Sequence, residues 1–203
     1  MTFIAFEGCD ASGKSTQAAL LAQHLDAVLT REPGGTPAGT RIRSLVLDHS
    51  PEGASLGLRA EALLMAADRA QDVEEVIEPA LRAGRVVIAD RYIDSSLAYQ
   101  GHARGLGVAE LRTLSHWAAN GRWPDCSVLI RVPIEIVLER IHAAGRPDRL
   151  ESEGPQFLQR VIAGFEALVA AEPARWRVVD GVGTIDEVAA SVRLAVADVV
   201  GLR

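Results

Sequence analysis

Short apolar runs alternate along the chain with longer stretches whose apolar residues recur every three or four positions. Thr2 to Phe6 reads as a buried strand, and Ser15 to Leu25 as a helix with Leu20, Leu21 and Leu25 at near-helical spacing. Ala27 to Thr30 is a second short strand. Thr36 followed by Pro37 has the form of an N-cap with proline at the first helical position, opening a helix to about Leu47. His49 to Gly57 reads as a loop. Leu58 to Ala83 contains no glycine and predicts the longest helix, with Pro79 as a kink and Gly84 as its stop. Val86 to Ala89 is apolar at every position, as a central parallel strand requires. Helices follow over Asp94 to Arg104 and Val108 to Asn120, then a strand over Ser127 to Val132 and a helix over Pro133 to Ala143. Pro155 to Ala171 and Thr184 to Val200 read as the last helices, with the strand Trp176 to Val179 between them. Strands alternating with helices predict a parallel α/β sheet of five strands covered on both faces.

Ala144 to Gly154 breaks this rhythm. It holds two glycines, a proline and the charges Arg146, Asp148, Arg149, Glu151 and Glu153, the composition of a polar lid-like loop. The expectation is one domain over residues 1–203, with 144–154 as a lid within it.

Composition narrows the function classes. The chain has 203 residues, 48% hydrophobic and 24% charged, which fits a folded globule and excludes a disordered one. The net charge of −6 argues against coating nucleic-acid polymers, since such proteins carry a basic surplus. The two cysteines, Cys9 and Cys126, cannot build a disulfide scaffold or a cysteine-rich zinc site, and they suit a reducing cytoplasm. No apolar run is long enough to span a membrane. No basic region precedes the first apolar run, and Glu7 interrupts it, so neither a signal peptide nor membrane association is expected. The five histidines show no ligand spacing shared with cysteines or acids.

The chemistry begins at Gly8-Cys9-Asp10-Ala11-Ser12-Gly13-Lys14-Ser15, which fits G-x-x-x-x-G-K-[ST] between a strand and an amphipathic helix. The glycines let backbone N–H groups turn around phosphate oxygens, and the new helix aims its positive end at them. In such a loop Lys14 reaches the β and γ phosphates and Ser15 ligates Mg²⁺. A second acid, Asp90, ends the apolar run Val86 to Ala89 and reads as the companion metal ligand. Parallel sheets place ligands beyond the carboxyl ends of their strands, so Asp90 and Arg91 belong beside the phosphate loop. No Asn-Lys-x-Asp stretch is present, which disfavours a GTPase. Arg31, Arg43, Arg69, Arg91, Arg140, Arg146 and Arg149 supply cationic candidates, several at strand ends or in the lid.

These residues together resemble the thymidylate kinase family. Phe6 to Gln17 is similar to its first motif, Thr30-Arg31-Glu32-Pro33-Gly34-Gly35-Thr36 to its second, and Asp90-Arg91-Tyr92 with Asp94 to Gly101 to its third. Asn120-Gly121, Pro124-Asp125 and Asp148-Arg149-Leu150-Glu151 complete the set. The resemblance implies a P-loop kinase three-layer sandwich. Its implied activity is transfer of phosphate from ATP to dTMP, giving dTDP for dTTP biosynthesis, with Mg²⁺ as cofactor. It further implies a cytoplasmic homodimer, with the long helix contributing to the interface because it is apolar on more than one face.

The resemblance also implies roles. Gly8, Cys9, Asp10, Ala11, Ser12, Gly13, Lys14, Ser15 and Thr16 bind ATP, and Ser15 and Asp90 hold the metal. Asp10 holds the 3′-hydroxyl of the acceptor sugar, and Arg91 grips the acceptor phosphate. Glu32, Ser96 and Gln100 belong to the acceptor pocket, with Gln100 at the thymine edge and Arg69 beside the base. Tyr99 crowds the 2′ position and favours deoxyribose. Lys14, Arg91, Asp10 and a lid arginine, Arg146 or Arg149, are catalytic; Ala11 stands where some members carry an arginine in the loop, which matches the bacterial pattern with the arginine in the lid. Met65 stands where the family usually stacks Phe on thymine. That departure keeps another nucleoside monophosphate or deoxynucleoside kinase as an alternative. A P-loop module that binds nucleotide without an acceptor is the alternative from a different class.

Overall fold

The computed structural model describes residues 1–49, 56–145 and 148–201. Five strands form one all-parallel sheet: β1 (Phe3–Glu7), β2 (Val28–Arg31), β3 (Val87–Asp90), β4 (Cys126–Arg131) and β5 (Trp176–Asp180), in the order β2-β3-β1-β4-β5. The phosphate loop follows the central strand. Its neighbours β3 and β4 lie on opposite sides of β1, which makes this the switch point where α/β sheets open a ligand crevice. Register sets the edge: Asp90 pairs with Phe6 on one side and with Arg31 on the other.

The helices are α1 (Lys14–Leu25), α2 (Pro37–Leu47), α3 (Leu58–Asp72), α4 (Glu78–Arg82), α5 (Ile93–Ser96), α6 (Val108–Ala118), α7 (Ile134–Ala144), α8 (Pro155–Ala171) and α9 (Ile185–Val196). Right-handed crossovers send α1 to one face, where it packs with α9, and α2, α3, α6 and α8 to the other. The core is the sheet itself: Ile4, Ala5, Phe6, Val87, Ile88, Ala89 and Val128 are wholly buried.

Several boundaries differ from the pattern reading, each for a physical reason. Glu7 is the last residue of β1 and fully buried, although its charge suggested the strand had ended; its carboxylate accepts from the Tyr92 N–H (3.0 Å) and the Ser95 hydroxyl (2.5 Å). The single helix expected over Leu58 to Ala83 is α3 and α4 joined by a π-helical turn, Val73–Ile77. Pro79 has no N–H to give the preceding turn, and the wider π turn just ahead of it absorbs that mismatch. The helix expected over Asp94 to Arg104 is likewise α5 running into a π-helical segment, Leu97–Ala103. In the lid, α7 ends at Gly145 in the left-handed conformation, and Glu151–Glu153 make one short 3₁₀ turn. Most of the predicted loop His49 to Gly57, and Arg146 in the lid, lie outside the described residues.

Candidate active site

The phosphate loop is built from backbone turns. Gly8 sits at φ 148°, and a Cβ there would lie 2.8 Å from the Ile130 carbonyl oxygen, so only glycine fits. Ala11 (φ 56°) and Gly13 (φ 92°) add two more left-handed turns, the alternation that folds successive N–H groups into a concave nest. Arg140 of α7 donates to the carbonyl oxygens of Ala11 (3.1 Å) and Ser12 (3.2 Å). In a trans peptide the N–H opposes the carbonyl, so the Gly13 N–H points away from Arg140.

Two cavities meet at this loop. One, of about 480 Å³, is lined by residues 11–17, Arg140, Gly181 and residues 183–185. The other, of about 300 Å³, runs from the loop across Arg31, Glu32, Met65, Asp90, Arg91, Tyr99 and Gln100 to Asp148, Leu150 and Glu151 of the segment expected as a lid. Ala11, Lys14 and Ser15 line both.

The wall of the smaller cavity is held by side chains. Arg91 has φ 71°, a strained value for a residue with a side chain, and its guanidinium is tied on every side. It donates to Gly8 O (3.0 Å), Ser95 Oγ (3.0 Å), Tyr99 Oη (3.1 Å) and the Asp10 carboxylate. The Tyr99 hydroxyl donates to the other Asp10 oxygen at 2.7 Å, and Lys14 Nζ stands 4.0 Å from Asp10. Burial pushes the Asp10 carboxyl up, but the Arg91 and Lys14 charges outweigh it and hold it below the usual range. Burial, reinforced by the Arg91 charge, lowers Lys14, which is only 6% exposed. An arriving polyphosphate would reverse that second push. Glu7 is raised to about 7 by burial and by Asp94, and it meets Arg91 through the shared Ser95 hydroxyl.

Behind this wall lies a second network. Arg69 is fully buried and donates to Glu32 (2.7 Å), the Tyr92 carbonyl (3.1 Å), and the Ser96 and Ser115 hydroxyls (3.1 Å each). Asp72 accepts from Thr30 Oγ1 at 2.6 Å, and Asp68 accepts from the Gly34 N–H at 3.0 Å. Gly35 has no room for a side chain, because a Cβ would lie 2.3 Å from Thr30 Oγ1 and 2.5 Å from Asp72 Oδ1. Burial lifts Asp68 to about 6 and Asp72 to about 7, and it raises Glu32 well above the usual range against the pull of Arg69.

The residues singled out in the sequence therefore separate. Asp10, Glu32, Met65, Asp90, Arg91, Tyr99 and Gln100 face the smaller cavity together. Arg69 and Ser96, expected in the acceptor pocket, line neither cavity and bond to each other behind it. Arg149 also lines neither: it donates to Glu61 (2.5 Å) and to the Val46 carbonyl (2.6 Å). Ser95, Arg31, Arg43 and Arg140 take places in the site that single-residue reading did not assign. The sequence marks the three arginines only as cationic candidates, Arg31 also as part of the second motif, and Ser95 only as a member of the third motif. For a metal, Ser15 and Asp90 share the smaller cavity, and Asp90 Oδ1 is buried without a protein partner, as a waiting ligand oxygen would be. Among the described residues no cluster of three or more His, Cys, Asp or Glu forms a metal site by itself.

Known proteins resemble this chain over most of its length. A family model described as thymidylate kinase matches residues 6–192. The thymidylate kinase of Clavibacter michiganensis subsp. michiganensis is 49% identical over 94% of this chain and 92% of its own. That of Bifidobacterium longum (strain NCC 2705) is 47% identical over 94% of each. The crystal structure of thymidylate kinase from Ehrlichia chaffeensis superposes with a TM-score of 0.78 at 30% identity, covering 96% of this chain and 97% of that one.

Proposed function

The chain belongs to the thymidylate kinase family, and from that premise we propose that it transfers the γ-phosphoryl group of ATP to the 5′-phosphate of dTMP, giving dTDP and ADP. The observation that carries this reading is the pair of cavities with Ala11, Lys14 and Ser15 as their common wall. A binding switch needs one anion site. Two sites meeting on one lysine bring a donor and an acceptor phosphate into contact.

The donor occupies the larger cavity, its phosphates on the loop N–H groups and its base between Arg140 and residues 181–185. The acceptor occupies the smaller one. Arg91 meets the acceptor phosphate with a fork already oriented by Asp10, Ser95 and Tyr99, so little entropy is lost on binding. Asp10 offers its carboxylate to the sugar 3′-hydroxyl, with the Tyr99 ring beside it. An acceptor phosphate oxygen attacks the γ-phosphorus in line, the bond to the β-phosphate oxygen breaks, and ADP leaves with that electron pair. Lys14 stabilises the charge spread over the transferred oxygens. Ser15 and Asp90 would hold Mg²⁺, which when bound neutralises charge on the donor phosphates. Residues 144–154 form the lid of one kinase domain, and this lid supplies the arginine for the transferred group, Arg146 or Arg149.

The assembly we propose is a homodimer. Leu45 on α2, Leu63 on α3 and Trp117 on α6 are exposed on helices of which α3 packs against both others, and Ala60, Leu63 and Ala67 make an exposed apolar row along α3. Among the described residues no helix is long and apolar enough to cross a membrane, and Cys9 and Cys126 are free and buried, which fits a reducing cytoplasm.

A coupled assay of ADP release with and without dTMP tests the transfer. ADP release should depend on dTMP; equal release in its absence would overturn the reading.

A further inference from the structure

Glu61 has no role of its own in the transfer proposed above, yet it is a wholly buried acid on α3, bonded to the cavity residue Gln100. Its carboxylate is saturated. Oε1 accepts from Gln100 Nε2 (2.8 Å) and Arg104 Nε (3.3 Å), while Oε2 accepts from Arg104 (3.1 Å) and Arg149 (2.5 Å). Gln100 lines the cavity, and its amide oxygen is buried with no partner in the protein. Three side chains thus hold one acid with four hydrogen bonds, and on Gln100, beside the cavity, one acceptor is left without a protein partner.

From this geometry we infer that Glu61 is a positioning residue that fixes the order of the Gln100 amide, so that the acceptor base meets an oxygen and must bring an N–H. The inference rests on the acceptor reading of the smaller cavity. Its physical basis is the donor–acceptor inventory: an ionised carboxylate only accepts, so the amide must turn its NH₂ toward it. Two guanidinium groups on the same acid keep it ionised. Burial alone would push Glu61 up, but the bonds from Gln100 and Arg149 and the Arg104 charge bring it below the usual carboxylate range. A free glutamine could rotate and present either end. Gln100 cannot rotate without setting its carbonyl against the Glu61 carboxylate.

A thymine base attached through N1 carries a single N–H, at N3. Cytosine carries an acceptor there. The fixed amide therefore selects a 2,4-dioxopyrimidine and leaves the Gln100 oxygen facing a lone pair when cytosine enters. Sites built around a specific hydrogen bond reject the mismatched group strongly, because a buried polar pair is then unsatisfied. Arg149 connects this selection to the lid. Its backbone N–H donates to Leu47 O (3.0 Å) and its guanidinium to Glu61, while Arg104 also pairs with Glu153 at 2.7 Å.

The test compares kcat/KM for dTMP and for dCMP, with ATP saturating, in the wild type and in Glu61→Gln. The substituted amide offers donor and acceptor alike and frees Gln100 to turn. The preference for dTMP should fall tenfold or more, with kcat/KM for dCMP rising in absolute terms, a gain that mere loosening of the fold does not produce. Glu61→Asp, which keeps a charge for the arginines but withdraws it from Gln100, should shift the ratio the same way and serves if Glu61→Gln does not fold. An unchanged ratio in a folded variant overturns the role of Glu61. Absence of dTMP turnover in the wild type would instead overturn the proposed function.

Discussion

The two cavities of this site, proposed as its donor and acceptor sides, share Ala11, Lys14 and Ser15 but are made from different materials. On the donor side the phosphate loop is shaped by backbone turns, with positive φ at Gly8, Ala11 and Gly13 and with Arg140 holding carbonyl oxygens from outside. On the acceptor side the shape is held by buried charges: Arg91 on Asp10, Arg69 on Glu32, Arg149 and Arg104 on Glu61. A backbone nest recognises what all phosphates share. Side-chain networks recognise one sugar and one base, and each buried charge in them depends on its partner. The donor side should therefore fail by losing one charge, and the acceptor side by losing any one of several pairs.

Lys14→Ala is the largest test of the donor half. Lys14 faces both cavities, and on the proposed reading its charge acts on the transferred group, so turnover should fall by ~10³ to 10⁵, the range seen when a single transition-state cation is lost in phosphoryl transfer. Thermal stability should hold or rise, because a lysine whose pKa is lowered by burial costs the fold when charged. Near-normal turnover would remove the loop lysine from the chemistry.

Arg91→Ala tests the acceptor half. The change removes the group proposed to hold the acceptor phosphate and leaves Asp10 with less compensation, and breaking such a buried pair costs ~2–5 kcal/mol. The KM for dTMP should rise far more than the KM for ATP. Arg91→Lys should recover little, since an ammonium cannot copy the fork held by Ser95, Tyr99 and Asp10. A rise confined to ATP would mean that the two cavities are assigned the wrong way round.

The same contrast explains what was legible in the sequence. The phosphate loop is contiguous, and its glycines and lysine occur at fixed spacing because a tight turn dictates them. The five-stranded parallel sheet follows from alternation, and all five strands fall within a residue or two of the pattern. The acceptor networks join residues far apart: Arg69 to Glu32 across 37 positions and Arg149 to Glu61 across 88. No local pattern marks such a pair: Arg69 is singled out through the family resemblance, and nothing near Glu61 in the sequence marks it. The π turns were hidden for a different reason. Val73–Ile77 and Leu97–Ala103 carry the same apolar spacing as an ordinary helix, and only the register of their hydrogen bonds differs.

Acceptor-side charge should also show in stability. Asp72 is wholly buried and raised to about 7 by burial, by Asp68 and by Glu75, against the Thr30 hydrogen bond and the Arg69 charge. An acid with a raised folded pKa binds its proton more tightly in the native state. Its stabilisation is full below the unfolded value of 3.8 and is lost as pH rises toward about 7. Asp68 and Glu7 act in the same direction. Asp72→Asn keeps an acceptor for Thr30 and has no charge to bury. It should flatten the decline in unfolding free energy between pH 5 and 8 by roughly 2 kcal/mol, measured by urea denaturation. Parallel wild-type and variant curves across that range would show that Asp72 stays ionised in the fold.

The smallest expected effect sharpens the contrast at the base. Met65 is nearly buried in the acceptor wall, on the helix that also carries Glu61 and Arg69. Its thioether is flexible and fills space without imposing a plane. Phenylalanine would offer a flat face to a pyrimidine, and a well-placed aromatic pair adds ~0.5–1.5 kcal/mol beyond area burial. Met65→Phe should then tighten dTMP up to about tenfold, with ATP affinity unchanged because Met65 does not line the larger cavity. The gain requires room for the ring, and overpacking a buried position costs ~1–3 kcal/mol. The two terms separate by measurement, since overpacking lowers the melting temperature of the free protein whereas stacking appears only with dTMP bound. A lower melting temperature with no gain in dTMP affinity would show a wall already fitted to methionine. Base selection in this chain would then rest on the hydrogen-bonding edge at Gln100 and not on the face of the ring.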